Sequence, residues 1–208
     1  MKKILILGST GKIGQVLTKR LLEKNHSVTT LVRNPNKLTL RSEKLKIVKG
    51  DVANIHDLKS VLKDVDVVVS VLGHGFRTSF PLQKKTMEVL IPTMTEKKIQ
   101  RLLTITGSDL LVDGDNYPLY AQLQRKLFSI VDPYRMTDAV DQQKLIEQSN
   151  LDWTVIRTPV HNSGAKIRSK VTEKKPFLWQ TIPRKTVVEF IVDCIENNSY
   201  IRKSPIIV

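Results

Sequence analysis

The sequence predicts an α/β domain in which helices cover both faces of a doubly wound parallel sheet. Short apolar stretches alternate with helix-like stretches almost to the end of the chain, and this alternation is typical of parallel sheets. Residues 66–72 include the nearly unbroken apolar run Val-Val-Val-Ser-Val-Leu, as expected for a central strand that is buried on both faces. No repeat, low-complexity tract or linker divides the 208 residues, so we expect a single domain over residues 1–208.

The individual elements follow from apolar runs for strands and from apolar residues three or four positions apart for helices. The predicted strands are Lys3–Leu7, Ser27–Val32, 45–48, 66–72, 101–106 and 153–157, with a short last strand at 205–208. The predicted helices are 15–24, 54–63, 82–98, 136–148 and 184–197. Asn54 is the expected N-cap of the second helix. Residues 110–133 and 161–176 show no clean period and are expected to be irregular.

A glycine-rich turn follows the first strand and carries the strongest functional signal. Gly8 allows a tight exit from the strand, Gly11 leaves room for a pyrophosphate, and Gly14 lets the next helix pack close to the sheet. The helix N-terminus then offers free N–H groups to phosphates. The loop therefore predicts dinucleotide binding by Gly8, Ser9, Thr10, Gly11, Lys12, Ile13 and Gly14.

The end of the second strand indicates which dinucleotide is preferred. NAD-binding proteins usually place Asp or Glu there, but residues 28–42 contain no carboxylate, and Arg33 stands at the strand end. A guanidinium suits a 2′-phosphate, so the sequence favours NADP(H) over NAD(H). In a basic protein, Arg33 is alternatively one surface cation among many.

Other candidate site residues follow the ends of the remaining strands, where ligands lie in parallel sheets. Asp51 can accept a hydrogen bond from the adenine amino group, or it is simply a charge near a helix N-terminus. The further cofactor-binding candidates are Val52, Leu72, Gly73, Thr106 and Pro159. His74 and His161 can bind a phosphate or substrate or supply a proton, or they are ordinary loop residues. Neither histidine has a second ligand at zinc-like spacing, so no metal is expected.

Bulk composition limits the classes of partner. The net charge of +14 and a pI near 9.9 suit anionic ligands, but the cations are dispersed, and there is no arginine-rich arm or aromatic platform for nucleic acid. We therefore expect a small-molecule partner rather than nucleic acid. No apolar stretch approaches a membrane span, which argues against a membrane partner. Cys194 is the only cysteine, which favours a reducing, cytoplasmic setting.

Together these segments resemble the short-chain dehydrogenase/reductase superfamily, and within it the atypical NAD(P)H-binding branch of NmrA-like and flavin reductase (biliverdin reductase B)-like proteins. The resemblance covers essentially the whole chain and implies a Rossmann-type fold. It is carried by the order and spacing of the glycine loop, 31–33, 50–52, 71–74, 106–108, 151–159 and 182–184. The chain departs from the main superfamily because no Tyr-x-x-x-Lys pair occurs, and Tyr134 is followed four residues later by Asp138.

The resemblance implies an NADPH-dependent reductase that transfers a hydride directly to a flavin, quinone or similar conjugated acceptor, which can be anionic. Ser108 matches the family serine that positions nicotinamide and substrate, although a serine after a glycine is also a common turn residue. Segments near 110–133 and 161–178 are expected to cover the substrate. The alternative is a redox sensor of the NmrA type that binds NADP(H) without turnover. The oligomeric state is left open.

Overall fold

The order of the strands in the central sheet determines where the candidate site lies. The computed structural model describes residues 1–73, 80–108, 110, 112, 118–174, 176–177 and 179–208. Within this part of the chain the strands are β1 (Lys3–Leu7), β2 (Ser27–Val32), β3 (Leu45–Lys49), β4 (Val67–Ser70), β5 (Arg101–Gly107), β6 (Asp152–Thr158), β7 (Val160–Asn162), β8 (Val171–Thr172), β9 (Thr181–Pro183) and β10 (Ile206–Ile207). They form an eight-stranded sheet of order β3-β2-β1-β4-β5-β6-β10-β8 and a smaller sheet of β7 and β9.

Successive strands are added on one side of β1 up to β3, and from β4 onwards on its other side, so the strand order reverses between β1 and β4. β1 pairs in parallel with β2 on one side and with β4 on the other. The sheet then grows through β3 on the first side and through β5 and β6 on the second, always in parallel. β10 is also parallel to β6, and β8 is antiparallel to β10. The prediction of a doubly wound parallel sheet is confirmed, and its carboxyl edge near β1 and β4 is where such folds bind ligands.

The described chain contains six helices, and buried residues of five of them pack on the two faces of this sheet. The six helices are α1 (Lys12–Glu23), α2 (Ile55–Val61), α3 (Leu82–Glu96), α4 (Leu119–Val131), α5 (Pro133–Glu147) and α6 (Arg184–Glu196). Buried residues of α1 and α6 share one apolar cluster, and those of α2, α3 and α5 share the other. No helix among the described residues combines the length and apolar character that a membrane span requires.

The alternation of side chains along β1 explains this layering. Ile4 and Ile6 belong to the cluster on the α1 and α6 face, whereas Leu5 and Leu7 belong to the cluster on the opposite face. All four side chains are at most 1% exposed, so β1 is buried on both faces. Full burial of each such side chain contributes about 1.5–3 kcal/mol, which makes β1 the centre of both cores.

The N-terminus of α3 is capped by a side chain from another helix. Pro81 occupies the N-cap position and contributes no side-chain hydrogen bond. Instead, the carboxylate of Asp138 on α5, only 2% exposed, accepts hydrogen bonds from the backbone N–H groups of Gln83 at 2.9 Å and Lys84 at 2.8 Å. An anion at a helix N-terminus is also favoured by the helix dipole. Asp138 therefore fixes α3 against α5.

The largest difference from the sequence prediction is α4, because residues 119–131 were expected to be irregular. Leu119, Leu123 and Leu127 do recur with helical spacing, but they lie on the exposed side, and Leu119 is 81% exposed. The prediction was wrong because turn signals flank this segment, at 113–116, which lies outside the described residues, and at Asp132-Pro133. An apolar period that is not buried is a weak guide beside such signals.

Smaller differences concern the ends of elements. α1 begins at Lys12 rather than at residue 15, because Gly11 takes the N-cap position. α5 begins at Pro133 rather than at residue 136, since Asp132 caps it by accepting a hydrogen bond from the N–H of Arg135. Part of the predicted irregular segment 161–176 is regular, because β7 pairs in parallel with β9.

The cap from Asp138 predicts a defined loss of stability. Asp138→Ala removes the acceptor of two N–H groups at the α3 N-terminus, and we expect the free energy of unfolding to fall by ~2–4 kcal/mol. Urea denaturation followed by circular dichroism measures this change. Asp141→Ala on the same helix is the matched control, because its ion pair with Lys84, at 3.0 Å, lies at the surface, where such pairs contribute ~0–1 kcal/mol. Equal losses in the two variants would contradict the proposed role of Asp138.

Candidate functional site

Two glycines of the loop after β1 are required by close backbone packing. Gly8 has φ of +91°, and a Cβ there would lie 2.8 Å from the carbonyl oxygen of Val71, at the end of β4. A Cβ on Gly14 would overlap the carbonyl oxygen of Gly8. Both positions therefore exclude any side chain, and this exclusion brings the N-terminus of α1 directly against the ends of β1 and β4.

Gly11 is less constrained than these two glycines. Its φ of −75° suits any residue, and among the described residues a Cβ would meet the Gly8 carbonyl oxygen at 3.3 Å, a close contact that a shift of a few tenths of an ångström would relieve. The space beyond Gly11 belongs to a cavity of about 620 Å³. A glycine at a position where the fold tolerates a side chain fits a loop that must let a ligand approach its backbone.

The start of α1 has the electrostatic character of an anion site. Within the described chain, no side chain caps α1, and no acidic residue lies in its first turn. Lys12 stands at the first helical position and lines the cavity. The hydroxyl of Ser9 is fully buried beside this turn and has no hydrogen-bond partner among the described residues. These features fit the pyrophosphate of a dinucleotide.

Many of the residues predicted to bind the cofactor or to act in catalysis line one cavity. The predicted site residues that line it are Gly11, Lys12, Ile13, Leu72, Gly73, Thr106, Ser108, Pro159 and His161. They come from the loop after β1 and from the ends of β4, β5 and β6, so four strand ends converge on one space. Both predicted covering segments contribute lining residues, Leu110 and Asp132 from the first and Phe177 from the second. His74 lies outside the described residues.

The other candidates lie beside this cavity rather than in its wall, as judged from the described residues. Gly8, Ser9, Thr10 and Gly14 form the body of the loop. Arg33 is exposed at the end of β2, while Arg41 is held by its guanidinium to the carbonyls of Leu38 and Leu40, at 3.1 and 3.0 Å. Unlike Arg41, Arg33 makes no side-chain hydrogen bond to the described chain, so its guanidinium is available to a ligand.

Asp51 and Val52 follow the end of β3. One carboxylate oxygen of Asp51 accepts a hydrogen bond from the N–H of Ala53 at 2.9 Å, within the same turn. The N–H of Asp51 donates to the carboxylate of Asp57 at 2.9 Å, so Asp57 supports this turn instead of completing a capping box with Asn54. Asn54 caps α2 as predicted, by accepting from the N–H groups of His56 and Asp57. Val52 is buried in the adjacent core cluster.

Ser108 lies at the point where β5 ends and the cavity begins. Its backbone N–H donates to the carbonyl of Thr158 at 2.9 Å, which ties the end of β5 to the end of β6. The residue is 7% exposed, and its hydroxyl has no hydrogen-bond partner among the described residues. Ser108 therefore presents an available hydroxyl from a rigid position.

His161 faces the same space from β7. Its Nε2 lies 2.7 Å from the hydroxyl of Thr158. Burial, together with the positive charges of Arg184 and Arg135, lowers the pKa of His161 to about 4. The imidazole is consequently neutral near pH 7 and suits a hydrogen-bonding role better than proton donation.

Sequence reasoning missed the wall that α5 contributes. Asp132, Arg135, Met136 and Ala139 line the cavity, at spacings of three, one and three residues that define one helix face. Tyr134, by contrast, is 61% exposed and is absent from the lining among the described residues. The same periodicity was present in the sequence, but starting the predicted helix at residue 136 removed its first turn.

Gln83 is a second residue that the sequence analysis missed. It lies in the first turn of α3, and its side-chain amide donates to the carbonyl of Leu72 at 2.9 Å. This bond holds the chain after β4 where it lines the cavity. The described residues contain no group of three His, Cys, Asp or Glu side chains that could share a metal ion.

The chain belongs to the NAD(P)H-binding family, whose family model matches residues 8–198. This match covers the glycine loop, every strand end that forms the cavity, and α6. The NAD(P)H-binding family predicted from the sequence is thereby confirmed.

Curated relatives match parts of the chain. The isoflavone reductase homolog A622-like protein of Nicotiana tabacum is 36% identical over 80 residues, which are 34% of this chain and 26% of that protein. The chloroplast stem-loop binding protein of 41 kDa b of Arabidopsis thaliana is 27% identical over 168 residues, which are 78% of this chain and 43% of that protein. The chain therefore spans only about a quarter to a half of these relatives.

Solved structures match over nearly the full length and establish the fold. A short-chain dehydrogenase/reductase from Veillonella parvula in complex with NADP has a TM-score of 0.79 at 20% identity, covering 99% of this chain and 94% of that one. The anaerobillin reductase ChuY from Escherichia coli O157:H7 has a TM-score of 0.80 at 12% identity, covering 99% and 96%.

The low pKa of His161 predicts a pH dependence of stability. The pKa is about 4 in the folded protein against an ordinary 6.5, so between these values the unfolded chain binds more protons. The free energy of unfolding should therefore fall as the pH drops from about 6.5 towards 4, by up to ~1.4 kcal/mol per pH unit from this group. We expect His161→Gln to flatten the curve in urea titrations across this range.

His56→Gln serves as the control, because His56 is exposed. The pKa of His26 is also lowered by burial, so the His161→Gln variant should retain part of the wild-type slope. Parallel curves for His161→Gln and the wild type would contradict the assignment of a buried, neutral imidazole.

Proposed function

We propose that the protein is an NADPH-dependent reductase that transfers a hydride directly to a flavin, a quinone or a similar conjugated acceptor. The observation that carries this proposal is the single cavity that connects the phosphate-binding start of α1 with Ser108, His161 and Phe177. Its volume of about 620 Å³ lies in the range of small-molecule sites. The reductases among the relatives, which include the isoflavone reductase homologs, agree with this class of reaction.

Different residues of the chain would bind different parts of NADPH. The backbone of Gly11 and the cation of Lys12 would hold the pyrophosphate at the start of α1. Arg33 would bind the 2′-phosphate, and the free carboxylate oxygen of Asp51 would accept from the adenine amino group. When bound, NADPH supplies the hydride from its nicotinamide, whose place would be beside Thr106 and Ser108.

The lack of a tyrosine or a charged histidine in the described cavity wall supports this class of acceptor. Among the described residues, no tyrosine lines the cavity, and His161 is neutral at physiological pH. A simple carbonyl needs a positioned acid to stabilise the developing alkoxide. A conjugated ring system delocalises the added charge itself, so orientation is the main task of the protein. The largely apolar wall of Ile105, Leu110, Met136, Val160 and Phe177 suits such a planar molecule.

The direct test is the oxidation of NADPH by the purified protein with FMN, a small quinone and biliverdin as acceptors. Loss of the reduced-nicotinamide absorbance that depends on the acceptor supports the reductase. If NADPH binds with micromolar or tighter affinity but no acceptor is reduced, the proposal fails, and the redox sensor without turnover becomes the better account.

Cofactor preference predicts a selective effect at Arg33. Arg33→Ala should weaken the binding of NADPH by ~1.5–3 kcal/mol, the range for a hydrogen bond to a charged group, and should leave NADH binding nearly unchanged. Titrations of intrinsic fluorescence with each nucleotide measure both affinities. Arg41→Ala is the matched control, since the Arg41 guanidinium is bound to nearby carbonyls. Equal weakening of NADPH and NADH by Arg33→Ala would refute the assignment.

The mechanism predicts different consequences for a tyrosine and a serine. Tyr134→Phe should lower kcat by much less than the ~10²–10⁴-fold that loss of a general acid causes, because Tyr134 is exposed and lies outside the cavity wall. Ser108→Ala should lower kcat by ~10–100-fold, because misorientation of the reacting groups raises the barrier. Steady-state kinetics with NADPH and FMN compare the two variants. A collapse in Tyr134→Phe beside an unaffected Ser108→Ala would indicate conventional carbonyl reduction.

A further inference from the structure

The cations that line the cavity have no ion-pair partners among the described residues. Lys12 and Arg135 lie in the wall, and neither forms a salt bridge or a side-chain hydrogen bond within the described chain. Some cations elsewhere are paired, as Arg20 is with Glu189 at 2.7 Å and Lys59 is with Glu96 at 3.1 Å. Positive charge is therefore left available where the cavity is.

These two cations come from different elements of the cavity wall. Lys12 stands at the start of α1, beside the glycine loop. Arg135 stands in the first turn of α5, and its charge, with that of Arg184, is one of the causes that lower the pKa of His161. An electrostatic effect on His161 places the Arg135 charge near the Ser108 and His161 end. One cation thus serves the region of the cofactor phosphates, and the other lies in the region of the acceptor.

The position of Arg135 in its helix is unfavourable without an external anion. A cation in the first turn of a helix opposes the helix dipole. The one carboxylate in this turn of the wall, Asp132, accepts from the backbone N–H of Arg135 at 3.3 Å and forms no ion pair with its guanidinium. The guanidinium, which is exposed to the cavity side of α5, is free to bind a ligand bidentately.

The neighbouring wall favours a flat, apolar body attached to that anion. Phe177 lies between Tyr120 and Trp179, with ring centroids 4.4 and 4.9 Å away and nearly parallel planes. Phe177 also lines the cavity, so this aromatic stack borders the same space. Aromatic side chains pack well against conjugated ring systems. Met136 and Val160 complete the apolar surroundings.

We propose that Arg135 binds a phosphate or carboxylate group on a planar conjugated acceptor, at the Ser108 and His161 end of the cavity. This inference rests on the proposed reductase function, and it specifies the substrate class as anionic. It assigns Arg135 as a specificity-determining residue, which holds the charged tail while Ser108 and the apolar wall hold the ring system.

The test compares acceptors that share a ring system and differ in charge. FMN and riboflavin share the isoalloxazine ring, and only FMN carries a phosphate. Biliverdin and its dimethyl ester form the corresponding carboxylate pair. For each pair we expect Arg135→Gln to lower the ratio of kcat/KM for the anionic over the neutral acceptor by about tenfold or more, the effect of losing a hydrogen bond to a charged group. Arg135→Lys should recover part of the ratio.

Lys144→Gln is the matched control, because Lys144 lies exposed on the same helix and is absent from the described cavity wall. It removes the same charge and should leave both ratios unchanged. A fall only in the FMN pair assigns a phosphate subsite, and a fall only in the biliverdin pair assigns a carboxylate subsite. Unchanged ratios in Arg135→Gln, or the same fall in Lys144→Gln, would overturn the inference while leaving the reductase function intact.

A binding measurement separates failure of the inference from failure of the function. Quenching of FMN and riboflavin fluorescence gives affinities that do not depend on turnover. If no acceptor is reduced but Arg135→Gln weakens FMN binding about tenfold more than riboflavin binding, the reductase proposal fails and the anion subsite stands. If Arg135→Gln weakens both flavins alike, the subsite is refuted.

Discussion

The contact between two stretches of backbone, Gly8 with the end of β4 and Gly14 with Gly8, is the constraint on which the rest of this structure depends. Side chains at either position would push α1 away from β1 and β4. With glycines there, the first turn of α1 meets the strand ends at the point where the sheet reverses its order. The positive end of α1, the hydroxyl of Ser108 and the apolar wall from α5 can then share one cavity. The same two glycines therefore determine both the close packing of α1 on the sheet and the position of the cavity.

The distribution of charge complements this geometry. The chain carries a net charge of +14, and some of its surface cations are neutralised locally by carboxylates. The unpaired cations in the described cavity wall add positive potential there, which would raise the encounter rate of an anionic ligand at low ionic strength. The basic residues of the loop that follows β7 make contacts away from the cavity. Lys166 forms an ion pair with Glu189 at 3.7 Å, and the backbone of Lys170 exchanges hydrogen bonds with that of Val208. This loop contributes mainly to the solvated surface and to the edge of the sheet.

The sequence alone was sufficient for the parts of the fold that rest on short-range patterns. The strands β1 and β2 were predicted to the residue, because an apolar run that stops at Gly8 marks β1, and a segment rich in β-branched residues between His26 and Arg33 marks β2. The converging strand ends, and with them Ser108 and His161, followed from the topology of parallel sheets. α4 shows the opposite outcome. Its leucines have helical spacing, but they are exposed, so the apolar period did not mark a buried helix face.

The features that the sequence could not supply depend on contacts between distant segments. Nothing near residue 81 shows that α3 takes its cap from Asp138, because the partners are 55 residues apart. The lowered pKa of His161 depends on Arg135 and Arg184, which reach it only in the folded chain. Arg135 itself belonged to a predictable helix face, yet a three-residue error at the start of α5 concealed it. Errors at the ends of predicted helices, rather than missed helices, therefore limited the prediction of the residues that line the cavity.

Because Asp138 caps the N-terminus of α3, few residues can replace it. A Tyr-x-x-x-Lys pair that included Tyr134 would need a lysine at position 138, and here that position is a buried acid that caps another helix. Replacing it with lysine would set a buried cation against the N-terminus of α3, where the helix dipole is also positive. Tyr134 would in addition have to turn inwards from the solvent. Asp138→Lys alone would therefore destabilise the fold, so a Tyr-x-x-x-Lys pair cannot be introduced at Tyr134 by this substitution without a second change that caps α3.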